Sequence, residues 1–485
     1  MTIARNQQDR TDEDGSFFWY DLETTGTDPR ADRIIQFAGV RTDLELNEIA
    51  APFSTYVKCP IDVLPDPSAC VVTGLTPQRV NRDGMNELEA YVAINRCFSQ
   101  PRTCVAGFNS LRFDDEFVRF GFYRHFIDPY AREWQSGNSR WDIIDLARAA
   151  AALRPEGIEW PTEAGLLTFR LGELTTANGI EHDSAHDAMS DVRATVGLAR
   201  LIRSKQRRLF DYYLKLRDRT ELQRVLRPEK PELSLHVSRM YPRERGCIAP
   251  IMPLARHPQN RNSVIVADLA ADVRPLIEWD VERLRDALFG VGRDDRPGLK
   301  EVRFNRCPFV APIEVLREQD ARRLDIDATI ARRRFDELRD QPGLAEKIAS
   351  IYAGARNVAE RDADAALYDG FIGDADRAQC AHVLTQMLGG ESSPNAVFSD
   401  ERLNELLFRM RARRDESALS APERDRWRAW MKHKLIDGGP DVMTLSRFRK
   451  ALDELDASGD IVSALREHAD LIDRKLSGAP DEIIR

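Results

Sequence analysis

No stretch of the 485 residues approaches the roughly eighteen consecutive apolar residues of a membrane-spanning helix. The Ala-rich run Ala149–Leu153 is short and bounded by Arg148 and Arg154. The opening MTIARNQQDRTDEDGS is polar and lacks the apolar centre of a signal peptide, so a cytoplasmic protein is expected. Cysteine is scarce. The seven present (59, 70, 97, 104, 247, 307, 380) form no CxxC and no zinc-like spacing, which argues against a disulfide framework and for reduced packing residues. No fixed-period repeat and no low-complexity tract occurs. Positive charge is in deficit: 71 Lys and Arg face 80 Asp and Glu, a formal −9 that on its face disfavours a nucleic-acid partner. The total hides an asymmetry, because Arg200–Arg261 holds 16 basic and 6 acidic residues, a local +10. A charge run alone is most simply a solvated helix face, but it is compatible with one strongly basic surface.

The length suggests about three domains. After a polar tail, Phe17–Trp19 opens an apolar strand, and Ile34–Val40 reads as its hairpin neighbour beyond a Thr27-Asp28-Pro29 turn. Pro60–Pro77 carries four prolines and reads as loop. Helical periodicity marks Glu87–Phe98, Asp114–Phe122, Asp142–Leu153 and Ser190–Ser204, with a short buried strand at Thr103–Phe108. Strands alternating with helices make this part α/β. Arg203–Arg227 reads as one basic helix. Proline-punctuated β pieces follow (Leu233–Val237, Ser263–Leu269, Val302–Phe304), and helical segments dominate from Asp362. The expected division is a tail 1–16, an α/β domain 17–203, a small β-rich domain 204–358 and a helical domain 359–485.

Chemistry enters with FFWYDLETTG. Asp21 and Glu23 lie two apart at the end of an apolar strand, so both carboxylates share one face. Like charges so placed repel unless a cation lies between them, and hard oxygen donors suit Mg²⁺ or Mn²⁺. Taken alone, DxE is better explained as an exposed pair on an edge strand. In GFNSLRFDDE a buried strand again delivers acids at a helix start. Asp114 is the choice because it follows Phe113 directly; a pair of helix-capping aspartates is the bland reading. In HDAMSD, His186 and Asp191 are five residues apart and would not share a helical face. They can serve one site only if His186 precedes the helix, and Asp187 competes at the i, i+4 position. Between Phe120 and Trp141 stand seven aromatics (Phe120, Phe122, Tyr123, Phe126, Tyr130, Trp134, Trp141), with Arg124, Arg132 and Arg140 interleaved and Arg119 just before. Aromatic faces stack unpaired bases at about 1–3 kcal/mol each, and arginines neutralise phosphates. Most of these rings are expected to be core and a minority to meet a ligand.

The three acidic motifs together, in this order, resemble the histidine subclass of the DEDD exonuclease superfamily. The phrases NSRWDIIDL, ALRPEGIEWP, FRLGELTTANGIEH, RLFDYY, HPQNRN and ALYDGF extend the resemblance to the bacterial exodeoxyribonuclease I family, over about residues 17–375. The resemblance implies a ribonuclease H-like DEDD domain, then an SH3-like β domain and a C-terminal helical domain closing a groove lined by the basic segment. It implies processive 3′→5′ hydrolysis of single-stranded DNA to 5′-mononucleotides, in DNA repair and recombination.

Catalytic roles are likewise implied for Asp21, Glu23, Asp114, His186 and Asp191. Two Mg²⁺ ions about 4 Å apart (Mn²⁺ may substitute) would be held by the four acids, with Asp21 bridging. His186 would take a proton from the attacking water. Thr24, Thr25 and Gly26 would cradle the terminal nucleotide, and Arg119, Tyr130, Trp134, Arg148 and Arg170 match DNA-contacting positions. The acidic, Phe-ended tail of single-stranded DNA-binding protein is the implied protein partner; monomer is the default state. An exoribonuclease of the oligoribonuclease or ribonuclease T type, and a non-catalytic single-strand binder on the same fold, are the alternatives. Against the first stand the 294 residues that follow Asp191, and against the second the presence of all four acids.

Overall fold

The computed structural model describes residues 15–182, 187–290, 297–354, 361–392, 394–439, 442–455 and 459–477. Its first sheet comprises β1 (Ser16–Thr24), β2 (Ile34–Thr42), β3 (Phe53–Tyr56), β4 (Thr103–Gly107) and β5 (Ser139–Asp142), in the order β3-β2-β1-β4-β5. β1 pairs antiparallel with β2 and parallel with β4, and β4 is parallel to β5. The strand bearing Asp21 and Glu23 is therefore central, not an edge.

Alternation along β1 explains its sequence. Phe17 and Trp19 face one side, where they pack with Ala147, Val192 and Leu198 of the helices Ile144–Leu153 and Ala188–Lys205. Phe18, Tyr20 and Leu22 face the other, against Phe98, Phe117 and Val118 of the helices Glu87–Phe98 and Asp114–Arg124. The four helices expected in the first unit are present, Glu87–Phe98 with the expected bounds and the others shifted by one or two residues. Two readings are corrected. The proline-rich loop contains a helix, Pro67–Thr73: Asp66 caps it by accepting from the Ser68 amide, and Pro67 occupies the first turn, where its missing N–H is harmless. The single basic helix is broken into Ala188–Lys205, Arg207–Lys215 and Arg219–Val225, with a non-helical Gln206 (φ −132°, ψ 50°) at the first break and Asp218 capping the third helix.

A hairpin, β6 (Thr162–Glu163) and β7 (Leu166–Leu167), leads toward the second unit. There β8 (Ser234–Val237), β9 (Ile248–Arg256), β10 (Ser263–Asp268), β11 (Leu299–Arg303) and β12 (Val310–Pro312) form an antiparallel sheet in the order β11-β10-β9-β8-β12. The unit is less purely β than expected, since helices such as Val281–Phe289, Ala328–Arg339 and Leu344–Ile351 accompany the sheet. One continuous apolar core joins it to the first unit: Trp141 packs on Phe210 and Tyr213, and the Tyr213 hydroxyl donates to the Cys307 carbonyl at 2.6 Å.

The last part is helical, with Asp374–Leu388, Glu401–Arg414, Ala421–Lys432, Leu445–Glu454 and Asp460–Ser477. It docks on the first unit through Phe120, Tyr123 and Phe126 against Val383, Met387, Leu403 and Met410. An ion network reinforces this join. Fully buried Asp62 accepts from Arg413 and Lys434, and Asp364 from Arg409 and Arg413. Six of the cysteines are buried and Cys97 is half-buried. Among the described residues no helix is long and apolar enough to cross a membrane.

Candidate active site

The site forms where β1 ends. Carboxylate oxygens of Asp21, Glu23 and Asp191 lie within 4.8 Å of one another. Asp114, in the first turn of the helix Asp114–Arg124, is 5% exposed and close enough to raise the proton affinity of both β1 acids. Burial pushes Asp21 well above the usual carboxylate range, and the charges of Asp114, Asp191 and Glu23 push it further. Glu23 is raised to about 8 by burial, then by Asp191 and Asp114. Asp114 is raised chiefly by burial and by Asp142 and Asp115, against donation from its own amide and that of Leu22. This is an oxygen-only donor set with no cation among its own side chains to neutralise it, which is the environment a hard divalent ion fits.

The competing aspartates of the second and third motifs differ in their contacts. Asp115 turns away from the cluster. Burial works against its charge, but Arg132 and Arg140 overcome that and hold its carboxyl well below the usual range; the Tyr20 hydroxyl also donates to it at 3.2 Å. The N-cap position of this helix is Phe113, so neither aspartate is the cap residue. Asp187, the competing aspartate of the third motif, makes structural contacts. It caps the helix Ala188–Lys205 by accepting from the Ser190 amide at 3.3 Å, and accepts from Gln36 at 2.9 Å. Gln36 lies directly opposite Glu23 on β2. His186 lies outside the described residues.

Two residues of the site carried no sequence assignment. Asp142, at the end of β5, accepts from the amides of Asn109 (2.8 Å), Leu111 (3.2 Å) and Ile144 (3.0 Å), tying down the loop that precedes Asp114. Burial raises it to about 6 in spite of those amides. Its signal was present: an acid at the carboxyl end of a buried strand parallel to β1. Gly107 lets that loop close, because a Cβ there would meet the Ser110 side chain at 2.7 Å. The second residue is His182, whose Nε2 contacts Oδ1 of Asp191.

The remaining expected residues have contacts of their own. Thr24 is buried, and its hydroxyl donates to the Gly26 carbonyl at 2.7 Å. Thr25 already spends its backbone inside the chain, donating to the Arg33 carbonyl and accepting from the Asp66 amide. Arg119 is buried, paired with Glu133 (2.8 Å) and Glu116 (3.1 Å), and lies over the half-buried Tyr130 ring at 5.4 Å. Arg148 is buried, paired with Asp145 at 2.6 Å, over the Phe169 ring. Arg170 is exposed and held by Glu173 and Glu163. Of the seven aromatics from Phe120 to Trp141, five are core, Tyr130 is half-buried and Trp134 is 65% exposed.

A five-stranded sheet in this order, with acids converging at the end of its central strand, defines the class: an exonuclease on a ribonuclease H-like domain. Comparison with known proteins agrees. Residues 18–199 match the Exonuclease family, 217–354 the Exonuclease I SH3-like domain and 361–472 the Exonuclease I C-terminal domain. The chain is 44% identical to exodeoxyribonuclease I of Escherichia coli K12 over 418 residues, covering 85% of this chain and 88% of that protein. Its fold superposes on E. coli Exonuclease I in complex with a dA16 oligonucleotide with a TM-score of 0.90 at 40% identity, covering 94% and 100% of the two chains. An SSB/Exonuclease I complex with the inhibitor CFAM gives 0.86 at 40% identity, covering 95% and 100%. The chain belongs to the exodeoxyribonuclease I family.

Proposed function

We propose that this enzyme hydrolyses single-stranded DNA processively from the 3′ end, releasing 5′-mononucleotides, with Mg²⁺ as its ion and DNA repair and recombination as its setting. The observation that carries the reading is the mutual approach of Asp21, Glu23 and Asp191, with Asp114 beside them, so that Asp114 and Asp191 both raise the proton affinity of Asp21 and Glu23. A divalent cation bound there supplies positive charge to the phosphodiester as negative charge builds up on it. The protein's part is placement. β1 fixes Asp21 and Glu23 on one face, Asp142 pins the loop before Asp114, and Asp187 caps the helix that presents Asp191. His186 takes the proton of the attacking water, a task its near-neutral range suits. Thr24 lies beside the terminal nucleotide. Tyr130 and Trp134 stack bases, and Arg119, Arg148 and Arg170 meet phosphates in exchange for their present carboxylate partners. The units act as 17–203, 204–358 and 359–485.

One cavity supports the partner reading. A cavity of about 410 Å³ is rimmed by Arg154, Lys205, Arg207 and Arg208 and floored by Leu209, Tyr212 and Phe309. Basic rim and aromatic floor match an acidic tail ending in Phe, such as that of single-stranded DNA-binding protein.

The test is substrate choice. A 5′-labelled single-stranded DNA is offered beside the same sequence as RNA and as blunt duplex. Shortening from the 3′ end confined to single-stranded DNA is expected. Equal or faster loss of RNA would favour an exoribonuclease, and tight binding without cleavage a non-catalytic binder.

A further inference from the structure

The acid cluster has a histidine neighbour that the proposed chemistry does not use. His182 follows the helix Leu171–Ala177, and its side chain is 7% exposed. Its Nε2 contacts Oδ1 of Asp191. Its Nδ1 lies 3.1 Å from the Thr175 hydroxyl, and its ring lies over Gly172, where a Cβ would sit 3.8 Å from Cε1 and Nδ1. Thr175 is fully buried, and its hydroxyl is 3.0 Å from the carbonyls of Leu171 and Gly172. The ring is thus held at Nδ1 and along one face by a helix that belongs to none of the three acidic motifs, while its Nε2 meets Asp191 of the third.

We propose that His182 is a positioning residue for the metal centre. Its Nε2–H holds one oxygen of Asp191, leaving the other directed toward Asp21 and Glu23, while Thr175 fixes the ring. The inference rests on the proposed metal-dependent reading of the cluster. Its physical basis is that Asp191 stands alone on its helix, whereas Asp21 and Glu23 are set by the strand itself. A carboxylate free to rotate binds a cation more weakly than one already aimed, and partners that aim metal ligands are typically worth about 10–100-fold in affinity or activity. His182 and His186 then have separate tasks, one aiming a ligand and one moving a proton.

The test is calorimetric titration of Mn²⁺ into the EDTA-treated, dialysed full-length chain without DNA. His182→Ala should weaken Mn²⁺ binding by about 10–100-fold and raise the Mg²⁺ concentration for half-maximal digestion to match. Its affinity for a single-stranded oligomer in EDTA should be unchanged. His182→Gln, whose amide N–H can reach the same oxygen, should restore most of the Mn²⁺ affinity. Thr175→Val should shift it in the direction of His182→Ala by a smaller factor, and it decides the matter if His182→Ala does not fold. Wild-type Mn²⁺ affinity in these variants, with weak binding by Asp191→Ala, would overturn the positioning role alone. Wild-type affinity in Asp191→Ala as well would remove the metal-site reading beneath it.

Discussion

Asp114 and Asp115 are neighbours in sequence with opposite electrostatics, and the difference lies entirely in what surrounds them. Asp115 satisfies two buried arginines; Asp114 faces other carboxylates. Asp115→Asn therefore leaves Arg132 and Arg140 buried against a neutral amide and should destabilise by about 3–5 kcal/mol in urea unfolding, as breaking a buried pair does. The cluster behaves in the reverse way. Glu23 titrates near 8 in the folded chain against about 4.5 unfolded, so the metal-free protein keeps the associated stability below about pH 4.5 and loses it as pH rises to about 8. Melting temperatures of EDTA-treated protein should fall between pH 5 and 8 and recover on adding Mn²⁺, with the larger recovery at pH 8. Asp21→Asn should flatten that pH slope and raise the metal-free melting temperature.

At the scale of elements, regular segments were legible because their apolar periods are strong. The residues of β1 alternate between two cores, and Glu87–Phe98 was read with its observed bounds. The acids were legible because strand ends and helix starts display them. Long-range relations were not. Nothing local says that Asp142 ties the loop at Asn109, that Gln36 across the sheet selects Asp187 as the capping aspartate, or that His182 reaches Asp191. The helix break at Gln206 falls in a run of good helix formers, whereas the one at Leu216–Asp218 carries a local signal in the capping Asp218. Asp142→Ala would orphan three amides. It should destabilise by at least about 1–3 kcal/mol, the penalty for a single buried group left unmade. Digestion should slow beyond the change in melting temperature, because Asp114 loses its footing.

At the scale of the molecule, three units behave as one body. The first two share a continuous apolar core, and the third is fastened by buried charges. Burial opposes the charge on Asp62, but Arg413 and Lys434 outweigh it and hold the carboxyl well below its usual range. Asp62→Ala strands Lys434 and leaves Arg413 with Asp364 alone, and should lower stability by about 3–5 kcal/mol, read as an earlier unfolding midpoint. The same variant should keep its cleavage rate while folded, since Asp62 does not belong to the acid cluster. Charge is also divided at this scale. The chain is acidic overall, yet the helices after Asp191 are basic and line the cavity proposed for the acidic tail.

The most direct test of the account follows a 5′-labelled single-stranded DNA over time with wild type and Asp191→Asn, each in Mg²⁺ and in EDTA, after matched melting curves show both folded. The account predicts shortening from the 3′ end by the wild type in Mg²⁺ only. Asp191→Asn should retain oligomer binding while its cleavage falls by more than about a hundredfold, the upper end of what losing even an outer partner of a metal ligand does. Digestion by Asp191→Asn at the wild-type rate, or by the wild type in EDTA, would contradict it.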